Sequence, residues 1–247
     1  MKPIRSALRT ALAALGLLAA LAQAQGPATL LPGQEALLRK NLAERIPQMQ
    51  KIDEITRSPI AGLVELRIGS DIFYSDMEGN FLLEGEMVET KTKRNVTQER
   101  VSKLTAIDFD QLPTKDAFVI VRGNGKRKMA VFQDPNCPYC KRFERDLQKV
   151  DNVTVYMYLY PILGPDSADK ARSIWCAKDR GKAWLDFMVR DQAVVPATCD
   201  VAPIARNVEF GKKHRITGTP TMVFTDGTRV PGAVPADQIE KLLASAK

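Results

Sequence analysis

The sequence holds one histidine, His214, and only four cysteines in 247 residues. That scarcity closes off several chemistries. A structural zinc site needs four Cys or His ligands, commonly as closely spaced pairs. Cys176 and Cys199 do not form a Cys-x-x-Cys pair, and His214 has no second histidine to join it. No metal site is therefore expected. Covalent haem attachment needs a histidine directly after the motif's second cysteine, and Lys141 follows Cys140 instead. His214 stands beside Lys212, Lys213 and Arg215 and is expected to be an exposed surface residue rather than an acid–base catalyst. With no cofactor implied, any reaction has to be run by the cysteines themselves. Long apolar runs are missing too. Beyond the N-terminus no stretch approaches the roughly 20 apolar residues of a spanning helix, so stable membrane insertion is not expected. There is no internal repeat and no low-complexity tract. The formal charge of +7 is scattered and marks no nucleic-acid footprint.

The start of the chain reads as an export signal. Lys2, Arg5 and Arg9 make a basic stretch, Ala11 to Leu21 is an Ala/Leu-rich apolar run, and Ala22-Gln23-Ala24 offers small residues for cleavage after Ala24. The run is too short to be an anchor. Export carries the cysteines into an oxidising compartment, where an even number favours one or two disulfides.

Hydrophobic spacing divides the rest. Leu37, Leu38, Leu42 and Ile46 predict a helix over Gln34 to Gln48, followed by strands at Gly62 to Ile68, Ile72 to Tyr74 and Phe81 to Thr90. Met77-Glu78-Gly79-Asn80 supplies the turn between the last two. With few large apolar residues this small α+β unit, residues 25–90, is a poor independent monomer and a candidate dimerisation module. Residues 91–111 are strongly polar with a thin apolar stripe and read as a partly helical linker, or else as a surface helix of one domain. From residue 112 to 247 strands and helices alternate, an α/β order. Phe118 to Arg122 and Lys128 to Gln133 are expected as a hairpin about Gly123-Asn124-Gly125. A helix over Cys137 to Val150 and a strand over Val153 to Tyr160 come next, then helices at Ser167 to Arg190 and Pro203 to His214. A hairpin closed by Asp226-Gly227 and a helix over Ala236 to Ala246 end the chain.

Cys137-Pro138-Tyr139-Cys140 opens the helix that follows a strand. A thiolate at a helix N-terminus is stabilised by unpaired N–H groups and the helix dipole, and its pKa can fall to about 3.5–7.5. Pro138 suits the first helical position. Cys137 is thus expected to be the exposed nucleophile and Cys140 the resolving thiol, with Lys141 and Arg142 adding positive charge. A bridge between Cys176 and Cys199 would close a loop of about two dozen residues and stabilise by about 3 kcal/mol. The pair reads as structural, with a second redox relay as the alternative. Thr219-Pro220 precedes a strand, and base rates alone lean to a trans bond.

These motifs together resemble a known family. The Cys137-Pro138-Tyr139-Cys140 helix and Gly218-Thr219-Pro220 before a hairpin and last helix resemble the thioredoxin fold. Ile174-Trp175-Cys176-Ala177-Lys178-Asp179, Pro196-Ala197-Thr198-Cys199-Asp200 and Val230-Pro231-Gly232 are similar to the bacterial periplasmic disulfide isomerases of the DsbC/DsbG family. The resemblance implies a thioredoxin-like catalytic domain with a helical insertion, preceded by a small cystatin-like α+β dimerisation domain. It further implies a V-shaped periplasmic homodimer. Thr219-Pro220 would be a cis peptide beside Cys137, with Thr219 backbone groups, Pro220, Pro138 and Tyr139 meeting substrate. Cys176–Cys199 would be the structural disulfide, and a membrane reductase of the DsbD type would keep Cys137 and Cys140 reduced. Substrates would be misoxidised or unfolded exported proteins. Pro138-Tyr139 is the dipeptide of the DsbG branch, which raises a second reading: a reductase of single oxidised cysteines with holdase activity. Thioredoxin's buried aspartate, six residues before its first cysteine, is Val131 here. The proton acceptor for Cys140 is therefore not identified by the resemblance.

Overall fold

The computed structural model describes residues 30–246. The export signal expected over residues 1–24 lies outside them. The chain divides into two compact units, with the boundary between Glu84 and Gly85.

In the first unit, Pro32 starts helix α1 (Pro32–Arg45) at its first position, where a missing N–H leaves nothing unpaired. A four-stranded antiparallel sheet follows in the order β1 (Glu54–Arg57), β2 (Leu63–Ile68), β3 (Asp71–Asp76), β4 (Leu82–Leu83). Leu38 and Leu42 of α1 pack with Met49, Ile52, Ile55, Val64 and Leu66 into one small core. The β3–β4 turn needs Gly79. Its φ is +71°, and a Cβ would stand 3.1 Å from both Leu38 Cδ1 and Leu42 Cγ. Asp76 fixes the turn by accepting the N–H groups of Asn80 (2.7 Å) and Phe81 (2.9 Å). Strand β1 is not anticipated by the spacing rule, because Glu54 and Arg57 flank only two buried residues.

The second unit begins with a short pair, β5 (Val88–Glu89) and β6 (Arg94–Asn95), and helix α2 (Val96–Thr105), capped by Asn95 accepting the N–H of Gln98. The single strand expected over Phe81 to Thr90 is instead β4 and β5, which fall in different units. Beyond these come β7 (Phe118–Arg122), β8 (Arg127–Gln133), α3 (Pro138–Leu147), β9 (Val153–Leu159), α4 (Pro165–Trp175) and α5 (Arg180–Met188). Helix α6 (Ala202–Lys213), β10 (Thr221–Phe224), β11 (Arg229–Pro231) and α7 (Ala236–Ser245) complete the chain. The sheet order is β11-β10-β8-β9-β7, with β8 and β9 parallel and every other pair antiparallel.

This order corrects the expected β7–β8 hairpin. Strand β7 pairs with β9, so the Gly123-Asn124-Gly125 link carries the chain past the start of β9. Asn124 N–H donates to Asn152 Oδ1 (3.1 Å), and Thr154 Oγ1 donates to Gly125 O (2.7 Å). The close crossing explains the glycines better than a hairpin turn does. The helix expected over Ser167 to Arg190 is also broken, because Asp179 accepts the N–H of Lys182 and starts α5 afresh.

Strand β8 is central and covered on both faces, so it reads as a continuous apolar run. Met129 and Val131 face a core with Phe143, Leu147, Trp184, Met222 and Ile239. Ala130 and Phe132 face a second core with Tyr158, Tyr160, Ile216 and Val223. The parallel β8–α3–β9 unit places the start of α3 at the C-terminal end of β8, where open α/β sheets carry their sites.

Candidate active site

Cys137 is the N-cap of α3 and Pro138 its first residue. The chain reaches the cap through a turn in which Cys137 N–H donates to Asp134 O (3.1 Å). Cys137 and Cys140 are free thiols. The Cys137 thiol donates to Thr219 O at 3.2 Å, and the Thr219-Pro220 bond is cis, as the resemblance implies and against the base rate. Pro220 is buried and its carbonyl accepts the N–H of Gly232 (2.8 Å), while Thr221 Oγ1 donates to Gly218 O (2.8 Å). Both sides of the site are thus pinned: one by a helix, the other by the entry to β10.

Hydrogen bonding pulls the Cys137 pKa down from 9.0 to about 6. The largest cause is the Cys140 thiol donating to it. Burial opposes the shift, and the Thr219 side chain and the N–H groups of Cys140 and Tyr139 add to it. Burial is the main cause that pushes the Cys140 thiol far up, with the neighbouring Cys137 second. The two sulfurs therefore divide the work: one is charged at neutral pH, the other holds its proton. Cys137 is not exposed; only 4% of it is accessible, against 0% for Cys140, because Thr219-Pro220 packs over the helix start. Pro138 and Tyr139 are the exposed members of the motif, Tyr139 at 64%. The charge expected from Lys141 is also committed elsewhere, to Asp191 (3.0 Å) and to the face of Phe187.

Cys176 and Cys199 form a disulfide, with Cα atoms 5.5 Å apart and a sequence separation of 23. Cys176 caps the end of α4, so the bridge ties that helix to the irregular segment before α6. His214 is half-buried rather than exposed. It stacks on Phe210 at 4.2 Å, and burial lowers its pKa.

Three buried polar residues next to the motif were not read from the sequence as a group. Asp134 is fully buried and saturated: it accepts from the N–H groups of Asn136, Ile162 and Leu163 and from Ser167 Oγ, at 2.7–2.9 Å. Glu144, on α3, is also fully buried. Its Oε1 accepts from Gln133 Nε2 (2.6 Å) and Trp184 Nε1 (2.9 Å). Burial raises the Glu144 pKa, while those two hydrogen bonds and the Arg122 charge act against the rise. Glu144 Oε2, Gln133 Oε1 and Arg122 Nη2 are buried and make no hydrogen bond among the described residues. The legible signal was a carboxylate four residues after Cys140, on the stripe that Cys140, Phe143 and Leu147 bury. Among the described residues no cluster of His, Cys, Asp and Glu could hold a metal ion, and no helix is long and apolar enough to cross a membrane.

Comparison with known proteins agrees with this geometry. Residues 114–247 match the thioredoxin-like domain family, and residues 19–98 match the N-terminal domain of disulfide bond isomerase proteins. A probable thiol:disulfide interchange protein DsbC of Bordetella parapertussis is 43% identical over 210 residues, covering 85% of this chain and 74% of its own. The thiol:disulfide interchange protein DsbC of Escherichia coli K12 is 32% identical over 200 residues, covering 78% and 81%. A disulfide interchange protein of Neisseria gonorrhoeae superposes with a TM-score of 0.52 at 42% identity, over 55% of this chain and 98% of that one. These relatives do not favour the DsbG-like reductase that Pro138-Tyr139 brings to mind. A free thiol pair with divided proton affinities, on a thioredoxin-like scaffold that follows an isomerase-type N-terminal domain, places the chain in the DsbC family of thiol:disulfide interchange enzymes.

Proposed function

We propose that this chain works as a homodimeric periplasmic disulfide isomerase in which Cys137 attacks and Cys140 resolves. The observation that carries the reading is the Cys137 thiolate, stabilised down to about 6 and set against Thr219. The thiolate attacks a wrong disulfide in an exported protein, giving a mixed disulfide and a substrate thiolate. A second substrate thiolate then displaces Cys137, which leaves a rearranged substrate. Alternatively Cys140 displaces the substrate, which leaves it reduced and Cys137–Cys140 oxidised. Pro138 and Tyr139 are exposed beside the nucleophile and suit contact with an extended substrate segment, and the Thr219 backbone lies on the other side. Cys176–Cys199 acts as a structural brace. A membrane reductase of the DsbD type would return Cys137 and Cys140 to the dithiol. The N-terminal unit supports pairing of two copies through its match to the isomerase N-terminal domain.

Refolding of a ribonuclease with scrambled disulfides tests this. The wild-type chain is expected to accelerate recovery of activity, and Cys137→Ala to abolish the acceleration. A Cys137→Ala chain as active as the wild type rules the assignment out.

A further inference from the structure

The resolving step needs somewhere for the Cys140 proton to go. Burial holds that proton on the sulfur, and the place where thioredoxin keeps an acid is the buried, apolar Val131. Asp134 is close in sequence but already accepts four hydrogen bonds. Glu144 is different. It sits one helical turn beyond Cys140 on α3, and both are fully buried. Residues four apart on a helix share a face, with Cβ atoms about 5–6 Å apart. Gln133 and Trp184 hold one oxygen of the carboxyl, and the other, Oε2, has no hydrogen-bond partner among the described residues. Buried polar atoms without partners are uncommon and need a reason. Gln133, Trp184 and the Arg122 charge account for a carboxyl at this place, but no donor meets Oε2, and a buried polar atom left so costs free energy.

We propose that Glu144 is the internal base of the resolving step: its free oxygen, Oε2, takes the Cys140 proton during attack on the mixed disulfide and returns it on reduction. The inference rests on the thiol-exchange reading above. In the forward direction the Cys140 S–H bond breaks and its proton moves to the Glu144 carboxylate, through one water where the two do not touch. The Cys140 sulfur then forms a bond to Cys137 Sγ. The bond between Cys137 and the substrate sulfur breaks, and its electron pair leaves with the substrate thiolate, which is protonated by solvent. Cys137 and Cys140 are oxidised by two electrons and the substrate disulfide is reduced by two. Acting on Glu144 are Arg122 from β7, Gln133 from β8 and Trp184 from α5, and only Arg122 is charged. Acting on Cys140 are Cys137, the Asp134 backbone and the Thr219 side chain. The raised affinity of Glu144 for a proton fits a group that exchanges one with a buried thiol.

Glu144→Gln separates this role from a structural one. The amide oxygen can still accept from Gln133 and Trp184, but the side chain can no longer take up a proton. The reduced full-length chain is mixed with a nitrobenzoate disulfide whose released thiolate is coloured. Attack by Cys137 releases one equivalent, and resolution by Cys140 releases a second. At neutral pH the ratio of second to first rate is expected to fall by about tenfold or more in Glu144→Gln, in line with lost general-base catalysis. The deficit should narrow as pH rises, and Glu144→Asp should recover part of it. An unchanged ratio overturns the proposal, and so does an equal fall in both rates, which reports a loosened fold. If Glu144→Gln does not fold, the wild type decides through the Glu144 carboxyl signal, titrated by isotope-edited NMR in dithiol and disulfide forms. Different midpoints in the two forms support the coupling, and one shared midpoint overturns it. A wild type giving no first release would remove the Cys137 assignment as well. A normal first release with an unaltered second removes only the role of Glu144.

Discussion

At the scale of single residues, the chemistry depends on how two sulfurs divide their protons. The folded Cys137 thiol titrates at about 6 instead of 9.0. Its alkylation rate by iodoacetamide in the reduced chain is therefore expected to rise with pH through a midpoint near 6. Thr219→Val should move the midpoint upward, because it removes a side-chain hydrogen bond to the sulfur. The sign for stability follows from the same shift. The folded pKa is depressed, so the reduced chain gains stability as pH climbs above about 6, holds all of it above 9.0, and loses it as pH falls through 6. The disulfide form has no thiol to titrate, so at a given pH in this window the dithiol is favoured and the couple is more oxidising than one whose thiol titrates at 9.0. An alkylation midpoint near that of a free thiol would contradict the assignment. Much of this was legible: Cys-Pro-Tyr-Cys at a helix start already points to a depressed thiol. The helix-start N–H groups expected to stabilise the thiolate do contribute, but the contributions of the Cys140 thiol and the Thr219 side chain were not legible, and Lys141, expected to add charge, is paired with Asp191. Thr219 is 82 residues away in the chain, and only the fold brings it to the sulfur.

At the scale of elements, period-2 and period-3.6 patterns located most helices and strands, because one face of each is buried. They failed where pairing is non-local. A glycine-rich link between two strands suggests a hairpin, yet β7 lies beyond β9. The alternation within β7 cannot reveal its partner. Residues Val119 and Val121 are exposed along this edge strand, and Phe118 alone is buried. Gly123 is the position that makes the crossing possible. Its φ is +53°, and a Cβ would press on Asp151 Oδ1, Asn152 Oδ1 and, at 2.9 Å, the Asn152 backbone nitrogen. Gly123→Ala is expected to destabilise the second unit by about 1–2 kcal/mol from the left-handed backbone alone, with the close contacts adding to that. Urea denaturation followed by tryptophan fluorescence reads this directly, since Trp175 and Trp184 both lie in that unit's core. A variant as stable as the wild type would mean the link is not held against β9.

At the scale of the whole molecule, the two units differ in what they can sustain alone. The second has a five-stranded sheet with a core on each face. The first has a single core cluster of eight buried apolar residues among its described residues, and domains of roughly 60 residues are marginal by themselves. Its last strand, β4, has two residues at a sheet edge, with Leu83 exposed and Phe81, just before it, 72% accessible. An open edge flanked by large apolar side chains is a surface that natural proteins cover or pair. Pairing of two copies would satisfy it. Light scattering on the full-length chain should therefore give twice the monomer mass, and a chain starting at Gly85 should give a monomer. The shortened chain should keep the fast attack of Cys137 on a small aromatic disulfide, since every contact of that thiol lies within the second unit. It should lose most of the acceleration of scrambled-ribonuclease refolding, because a large unfolded substrate needs more surface than one thiol and its neighbours provide. A monomeric full-length chain would refute the pairing role of the first unit. A shortened chain that still isomerises at the full rate would show that Cys137 and its immediate surroundings suffice.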